Sequence, residues 1–590
     1  MGRLNQVAQV VMSAALVLAP QWAQAYTATL SLEGRTVRWQ GAAKIHLAGN
    51  SKNLSGIAAP AFFDSVTRGL QRWKDAAGGS VDFDYWQGVD ASIYEPSSDY
   101  NGLSSVYFAS ASQVLIDPNV LGLTQVWFDT RTGQILETDI VLNDRHFLFS
   151  DDPEDTTGYG GGGVSGNGRT AFLENVLTHE LGHAFGLSHS GTLQSTMLFM
   201  ESPQQFHLSC DDRVGLRALY PATDAPASGA ITGQVVGENG APVFGAQVVA
   251  ISQKRGTVLA SALTGKLGEY SIAALEPGAY FLMVEPFYAG ARALPGFYQG
   301  SSSELCDGQN FGRSFLTEEN GRSLQAVTVA SGASGQAPIL SARCSLTGGA
   351  SVISDPASAA FRTAPSAAAS ENGFGVVDRF THSDVLYFRF QSVGGRVEIH
   401  ALAYGLYSPV RTSLRLLDSN GRTISARVEQ PVFSGESGFQ NYDSQLVAEG
   451  LADGEYVVRV SATGMNSSQY PAGPVSLDPS AFVVVTGSMN QDEPELANSL
   501  PVNARCEAED SAATYLSPPG NPPRFPVQVG NEQVGFCGTV SSADSGGAGP
   551  GAASMIGWFA PWLFMASSGF WASRRQRLRS AVGASLHAPI

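Results

Sequence analysis

Eleven residues, from His179 to His189, constrain this chain more than any other stretch. They read His-Glu-Leu-Gly-His-Ala-Phe-Gly-Leu-Ser-His and contain three of the nine histidines in the 590 residues. His179 and His183 are four positions apart, so on a helix both project from one face. Gly186 tolerates a positive φ, which lets the helix end and the chain turn back towards His189. The spacing predicts three imidazoles around one metal ion.

Zinc is the metal that this set of side chains favours. Three neutral imidazoles can bind it and leave the fourth tetrahedral position open, as in catalytic zinc sites. Glu180 follows the first ligand and can take a proton from a water molecule there. A helix that carries histidines by chance is the alternative, but the combined spacing of His, Glu and Gly is specific. We predict one zinc ion bound by His179, His183 and His189, with Glu180 as the general base.

The stretch resembles the zinc motif of the metzincin metallopeptidases, and within them the matrixins, the subgroup similar to matrix metalloproteinases. The resemblance covers residues 26–222 and implies an α+β catalytic domain that hydrolyses peptide bonds. It also implies a methionine in a tight turn beneath the metal. Met197, in Ser195-Thr196-Met197, stands where this Met-turn is expected, and Met200 is the alternative.

Three other stretches before residue 222 carry expectations of their own. Residues 211–220 resemble the C-terminal helix of the matrixins, and residues 132–143 resemble the strand that borders their substrate cleft. The acids within residues 151–155 can bind calcium through oxygen ligands. A solvated acidic loop is the simpler interpretation of that last stretch.

Residues 1–25 have the pattern of a secretory signal peptide. Arg3 gives a positive start, residues 7–19 are mainly apolar, and residues 23–25 (Ala-Gln-Ala) form a small-x-small cleavage site. A membrane helix is the alternative, but the apolar run is short for a bilayer. We expect an exported protein, extracellular or at the cell surface, that meets the export machinery of the inner membrane.

The composition agrees with export and limits the partners. Hydrophobic residues make up 43% of the chain and charged residues 15%, with 66 glycines, which is typical of a strand-rich exported protein. The net charge of −17 disfavours nucleic acid as a partner, because phosphates would be repelled.

Export also permits disulfide bonds. Among the five cysteines, neighbours in sequence suggest the pairs Cys306–Cys344 and Cys506–Cys537, with Cys210 left over. No cysteine lies between residue 26 and the zinc motif. The cysteine-containing propeptide of matrix metalloproteinases is therefore not expected upstream of the motif.

Two β-rich regions follow the metal-binding region. Residues 229–344 resemble the carboxypeptidase regulatory-like domain, a small β-sandwich, in their strand-and-turn pattern. After an Ala- and Ser-rich linker at residues 345–372, residues 373–488 resemble the bacterial pre-peptidase C-terminal domain, another β-sandwich. The first of these two regions shows no catalytic constellation.

The chain ends in a segment with a sorting pattern. Residues 489–551 read as a spacer, and residues 552–580 combine an apolar run with a basic tail. Gly546-Gly547, the apolar run and the arginines between Arg574 and Arg579 resemble the Gly-Gly C-terminal sorting signals of bacterial surface proteins. A processing machinery is then a partner. A permanent membrane helix is the alternative.

Together these patterns predict a multidomain protein with a metzincin-like α+β catalytic domain, two all-β sandwich domains and a C-terminal hydrophobic segment. We expect an exported zinc endopeptidase that acts on proteins or peptides. The alternative is a surface adhesin or matrix-binding protein whose peptidase domain is inactive. Because a chain that ends before Ala227 keeps every predicted ligand, we expect it to cleave short peptides. The sequence does not indicate an oligomeric state.

Overall fold

The computed structural model describes most of the chain between residues 28 and 490 and one short stretch beyond. The described ranges are 28–29, 35–40, 44–77, 80–86, 100–114, 116, 118, 120–152, 170–192, 195–198, 205–221, 228–286, 311–319, 321–344, 369–370, 373–380, 384–406, 408, 410–429, 433–434, 439–440, 443–465, 482–490 and 536–540. The predicted signal peptide (1–25) and hydrophobic tail (552–580) lie outside them. No helix within these ranges combines the length and apolar character needed to cross a membrane.

The described residues form three α-helices and 26 strands. The helices are α1 (Ala59–Ala76), α2 (Leu173–Ala184) and α3 (Cys210–Leu219). The strands up to residue 222 are β1 (Lys44–Asn50), β2 (Asp82–Trp86), β3 (Ser104–Phe108), β4 (Val120–Phe128), β5 (Ile135–Leu142), β6 (Leu148–Ser150) and β7 (Thr170–Phe172). The later strands are β8 (Gly229–Gly237), β9 (Ala246–Ser252), β10 (Val258–Leu263), β11 (Glu269–Leu275), β12 (Gly278–Pro286), β13 (Ser314–Phe315), β14 (Val327–Val329), β15 (Ser334–Gln336), β16 (Leu340–Ala342), β17 (Ala369–Ser370), β18 (Gly373–Arg379), β19 (Val385–Leu402), β20 (Val410–Asp418), β21 (Arg427–Glu429), β22 (Phe433–Ser434), β23 (Phe439–Gln440), β24 (Ser444–Met465), β25 (Phe482–Met489) and β26 (Phe536–Val540).

The first region is an α+β unit built on one six-stranded sheet. Its strand order is β2-β1-β3-β5-β4-β26. Strands β2, β1, β3 and β5 run parallel, and β4 alone is antiparallel to its neighbour β5. The sequence assigned the border of the substrate cleft to residues 132–143. That strand, β5, is instead interior, because β4 lies outside it.

Helix α1 begins with Pro60 in its first turn and packs an apolar stripe against the core. The periodicity predicts this helix over residues 62–76, and the structure confirms it with three more residues at the start. Its buried side chains include Phe62, Val66, Leu70 and Trp73. The spacing of Phe63, Val66, Leu70 and Trp73 predicts a stripe that begins at Phe63, whereas the buried stripe begins at Phe62.

Helix α2, which carries the zinc motif, is buried on every side. All twelve of its residues are buried, because α1 covers one face and the sheet the other. Trp73 of α1 donates its Nε1–H to the carbonyl of Thr178 at 2.8 Å. Glu174 pairs with Arg68 and Arg72 of α1 at the helix start. A helix enclosed in this way holds its side chains in fixed positions.

The strands β8 to β16 form two sheets, which we call the first sandwich. One sheet has the order β10-β9-β12-β13, with β14 on β12, and the other has the order β11-β8-β15, with β16 on β8. Buried residues from both sheets, such as Ile272 and Leu282, belong to one apolar cluster with Leu216 and Leu219 of α3. The core of the first region therefore continues into this sandwich, which argues against the activity expected of a chain ending before Ala227.

The strands β17 to β25, which we call the second β unit, enclose a separate core. Most of its strands form one sheet in the order β17-β18-β25-β19-β24-β20, with β21 on β24. Strand β19 has an irregularity at Gly394 and Gly395, with φ of 80° and 85°, where the register with β24 also shifts. Phe374 of β18 and Phe390 of β19 stack with ring centroids 4.9 Å apart.

The described residues include only part of the two predicted disulfide bonds. Cys344 is disulfide-bonded. Cys306 and Cys506 lie outside the described ranges, and only the backbone of Cys537 is described. Both pairings therefore stay predictions.

Candidate metal centre

The three predicted histidine ligands converge on one point in the core. The Nε2 atoms of His179 and His183 are 3.1 Å apart, and those of His183 and His189 are 3.2 Å apart. All three side chains are buried. Among the described residues, this is the one group of His, Cys, Asp or Glu placed to hold a metal ion.

The other ring nitrogens of two of these histidines face backbone carbonyls. The Nδ1 atom of His179 lies 2.7 Å from the carbonyl oxygen of Thr196, and that of His183 lies 2.8 Å from Leu187. A carbonyl can only accept, so each Nδ1 carries the proton and each Nε2 presents a lone pair. Burial lowers the pKa of His179 to about 4. Its imidazole is therefore neutral near pH 7.

This arrangement fits a zinc ion. The Nε2 lone pairs of His179 and His183 face each other at 3.1 Å and repel unless a cation lies between them. Tetrahedral zinc with Zn–N bonds of about 2.0–2.1 Å requires nitrogens roughly 3.3 Å apart. The spacing and the neutral imidazole chemistry both suit that ion.

The turn after the metal helix brings His189 back to the other two ligands. Leu187 donates its N–H to Gly182 at 3.1 Å, and Gly186 donates to His183 at 2.9 Å, the pattern of a Schellman cap. Gly186 has a φ of 95°, and a Cβ there would lie 2.1 Å from the carbonyl oxygen of Val37. Both observations require glycine, as the sequence predicted.

Two aromatic residues that sequence reasoning missed hold the end of this helix. Trp39 donates its Nε1–H to the carbonyl of Ala184 at 2.9 Å, and the hydroxyl of Tyr220 donates to Phe185 at 2.7 Å. These bonds satisfy carbonyls that the helix itself leaves without partners. No local signal marks Trp39, because it lies about 140 residues before the helix end.

The carboxylate of Glu180 is held from strand β4. The hydroxyl of Thr124 donates to Glu180 Oε2 at 2.6 Å. A Cβ at Gly122 would lie 2.6 Å from Glu180 Oε1 and 2.8 Å from Val176, so glycine leaves room for the acid. Sequence reasoning missed both β4 residues, because it assigned the cleft border to β5.

Met197 lies in a short segment that packs against α2. Its carbonyl accepts the N–H of Ser190 at 2.8 Å. A Cβ at Gly182, in the zinc motif, would lie 2.3 Å from Met197 Sδ. Gln205 donates to the carbonyls of Thr196 and Leu198 at 2.8 and 2.7 Å. Met197 thus packs against α2 at Gly182. Its assignment to the Met-turn stays a prediction, and Met200 lies outside the described residues.

Asp212 organises the same segment from the start of α3. Its carboxylate accepts from the backbone N–H groups of Thr196 at 2.7 Å and Met197 at 3.1 Å, and from the hydroxyl of Ser195 at 2.5 Å. It also forms a capping box with Ser209. The predicted C-terminal helix therefore both exists and holds the turn beneath the histidines.

The calcium expectation gains no support. Of the acids in residues 151–155, Asp151 and Asp152 are described, and the described residues form no metal-binding group there. The simpler interpretation of a solvated loop agrees with their exposed side chains.

Two protein families match parts of the chain. Residues 70–221 match the family described as Matrixin, and residues 230–299 match the carboxypeptidase regulatory-like domain. Both matches agree with the resemblances in the sequence. They cover two adjacent parts of the chain and leave the remainder unassigned.

Solved structures add little to these matches. The dioxygenase domain of a dioxygenase carbohydrate-binding protein fusion from Streptomyces sp. SirexAA-E is 10% identical, covers 21% of this chain and 84% of its own, and has a TM-score of 0.13. The Bacillus anthracis TIE protein is 7% identical, with 41% of this chain and 29% of that chain covered and a TM-score of 0.12. Similarities this low carry no argument about fold or function.

The matrixin match contains the whole metal centre. His179, His183, His189 and Glu180 all lie within residues 70–221. Matrixins are zinc-dependent peptidases, and the buried histidine group can bind such an ion. At the level of the family, the chain thus carries a matrixin-like zinc metallopeptidase domain.

Proposed function

We propose that this protein is an exported zinc endopeptidase that hydrolyses peptide bonds of extracellular proteins. The observation that carries the proposal is the convergence of three buried Nε2 atoms inside the matrixin match, with Glu180 next to His179 in the sequence. His179, His183 and His189 are the ligands, and Glu180 is the general base. A peptidase domain implies protein or peptide substrates.

The residues of this chain have separate tasks in the reaction. A bound zinc ion supplies Lewis acidity, which polarises the scissile carbonyl and acidifies a water molecule. Glu180 accepts a proton from that water as its oxygen adds to the carbonyl carbon. The same carboxyl then delivers the proton to the amide nitrogen as the C–N bond breaks. Thr124 keeps the carboxylate in place through its 2.6 Å hydrogen bond.

The location of the protein is a proposal that rests on its two ends. The signal-peptide pattern at residues 1–25 supports export, and the Gly-Gly, apolar and basic order after residue 545 supports a surface anchor that is processed. The mature protein should then lack the arginines from Arg574 to Arg579. Intact-mass measurement of protein from the cell surface tests this, and a chain that ends at Ile590 favours the permanent helix.

Hydrolysis of a peptide library by the purified full-length protein tests the activity. We expect cleavage that stops with a chelator and returns with zinc, and about one zinc per chain. His183→Ala should lose most of the metal, because two ligands make an incomplete site. A zinc-loaded wild type that cleaves nothing would favour the alternative, a surface adhesin or matrix-binding protein with an inactive peptidase domain.

A further inference from the structure

Asp211 precedes Asp212 at the start of α3. Its two carboxylate oxygens accept hydrogen bonds from two different parts of the protein. Oδ2 accepts from the hydroxyls of Ser190 at 2.5 Å and Thr192 at 3.2 Å. Oδ1 accepts from the backbone N–H of Ser261 at 2.6 Å and from its hydroxyl at 3.0 Å. Ser261 belongs to β10 of the first sandwich. One buried carboxylate therefore joins that sandwich to the segment that follows the third histidine.

A second contact from the sandwich reaches the same segment. A Cβ at Gly191 would lie 2.1 Å from Oε1 of Gln247, a fully buried residue of β9. The backbone between Ser190 and Thr192 thus packs directly on the sandwich. His189 immediately precedes this stretch, so its position depends on what the stretch rests on.

Asp212, which follows Asp211 in the sequence, takes its donors from a different part of the protein. The contacts of Asp212 with Ser195, Thr196 and Met197 all lie within the metal-binding region. Asp211 has the same helix start but takes donors from another part of the chain. A buried carboxylate that loses such donors must rearrange, because leaving it unsatisfied is costly.

We infer that the first sandwich is part of the metal centre, and that Ser261 positions His189 through Asp211 and Ser190. The inference rests on the proposed zinc site for its effect on metal binding. Ser261 is then a positioning residue, and the first sandwich is linked through it to one of the proposed metal ligands.

Zinc release from the loaded full-length protein to a chelator tests this link. Ser261→Ala should release zinc several-fold to roughly tenfold faster, and Ser261→Thr, which keeps the hydroxyl, should restore slow release. Ser444→Ala is the matched control, because Ser444 is a buried serine of the second β unit, hydrogen-bonded to Thr412 at 2.8 Å. Its zinc release should match the wild type.

Amide hydrogen exchange of residues 189–192 in the metal-free protein provides a readout that needs no zinc. Ser261→Ala should speed this exchange, and Ser444→Ala should not. Unchanged exchange and unchanged release in Ser261→Ala would overturn the inference, as would equal effects in the two alanine variants. Faster exchange in a protein whose wild type binds no zinc would instead reject the zinc site and leave the positioning link standing.

A different observation concerns β26, the strand from the end of the chain. It pairs in parallel with β4, and its backbone register sets Cys537 opposite Gly122 and Val540 opposite Gln125. Neighbouring strands lie about 4.8 Å apart. The backbone of β26 therefore runs one strand away from Gly122, the residue that leaves room for the carboxylate of Glu180.

An extended peptide can bind a protein by adding a strand to a sheet edge. Gly122 and Thr124 of β4 contact Glu180, and β26 occupies the outer edge of that strand. We infer that residues 536–540 act as an intramolecular inhibitor that competes with peptide substrates for this edge. This inference rests on the proposed peptidase function.

Deletion of residues 536–540 from the full-length protein tests the inhibitor, with deletion of residues 521–525 as the control. The first deletion should speed amide exchange in residues 120–125 and raise the cleavage rate of a short peptide several-fold. The control should change neither. Unchanged exchange in residues 120–125, or unchanged cleavage in an active protein, would overturn the inference. Faster exchange with no cleavage by any variant would reject the peptidase function and leave the strand pairing standing.

Discussion

The first sandwich and the second β unit are built from similar strands but relate differently to the metal centre. The apolar core of the first sandwich is continuous with that of the metal-binding region. The second β unit has its own core. It contacts the rest of the protein through a smaller apolar cluster, in which Phe281 and Met283 of the first sandwich pack against Phe482 and Val484.

This difference shows that resemblance to an accessory domain does not make a domain separable. A shared core means that removing the first sandwich exposes apolar surface on α3, the helix whose first turn holds the Met-turn. Among the described residues, removing the second β unit uncovers apolar side chains of the first sandwich, such as Phe281 and Met283. The account therefore predicts that the two units differ in their effects on the metal centre.

Truncation should give the largest contrast. A chain that ends at Cys344 keeps the first sandwich and should still bind zinc and cleave a short peptide. A chain that ends at Pro226 lacks the donors of Ser261 and should lose cleavage by roughly a hundredfold. Zinc content and cleavage rate of both truncated proteins measure the contrast. Equal zinc content and equal cleavage rates in the two truncated proteins would contradict the predicted difference between the two units.

The same difference between the two units can be tested in the full-length protein by replacing one buried isoleucine in each unit. Ile272 of β11 and Ile399 of β19 are both fully buried, one in each unit. Replacing either by Ala should lower the free energy of unfolding by about 2–5 kcal/mol, because each leaves a cavity. Only Ile272→Ala should also speed zinc release. Urea unfolding and chelator kinetics check these outcomes, and faster zinc release in Ile399→Ala would contradict the separation.

The smallest expected effect concerns pH and Asp378, where the second β unit meets Arg322 of the first sandwich. Burial raises the pKa of Asp378 to about 6, although Arg322 lies 3.0 Å away and opposes the shift. Its ordinary value is 3.8, so between about pH 4 and 6 the folded state binds the extra proton. The contribution of Asp378 to stability must therefore fall as pH rises through that window and stay level above it.

Asp378→Asn removes this titration. The difference in unfolding free energy between the variant and the wild type should change between pH 4 and 6 and be constant from pH 7 upwards. Urea unfolding of the metal-free proteins at several pH values measures it. A difference that is independent of pH across the whole range would show that Asp378 has no raised pKa.

The sequence predicted what depends on local spacing. The convergence of His179, His183 and His189 and the turn at Gly186 follow from intervals of a few residues. Met197 was placed by resemblance to a known motif close by in the chain. The amphipathic pattern of α1 was likewise sufficient to place that helix.

Features that depend on distant parts of the chain escaped prediction. Strand order is not sequence order, so the interior strand β5 was assigned to the border of the cleft, and the contacts of Gly122 and Thr124 with Glu180 were missed. The link from Asp211 to Ser261 spans 50 residues between two regions that the sequence treated as separate. Burial of α2 on both faces also gave no signal, because a polar residue such as Glu174 is paired by Arg68 and Arg72 of another element.

The most direct measurement of the central claim compares Glu180→Gln with the wild type. Glutamine has nearly the same size but cannot accept the proton of the attacking water. The account predicts about one zinc per chain in both proteins and peptide hydrolysis lower by roughly 10²–10⁴-fold in the variant. Wild-type hydrolysis by a zinc-loaded Glu180→Gln protein would contradict the assigned mechanism.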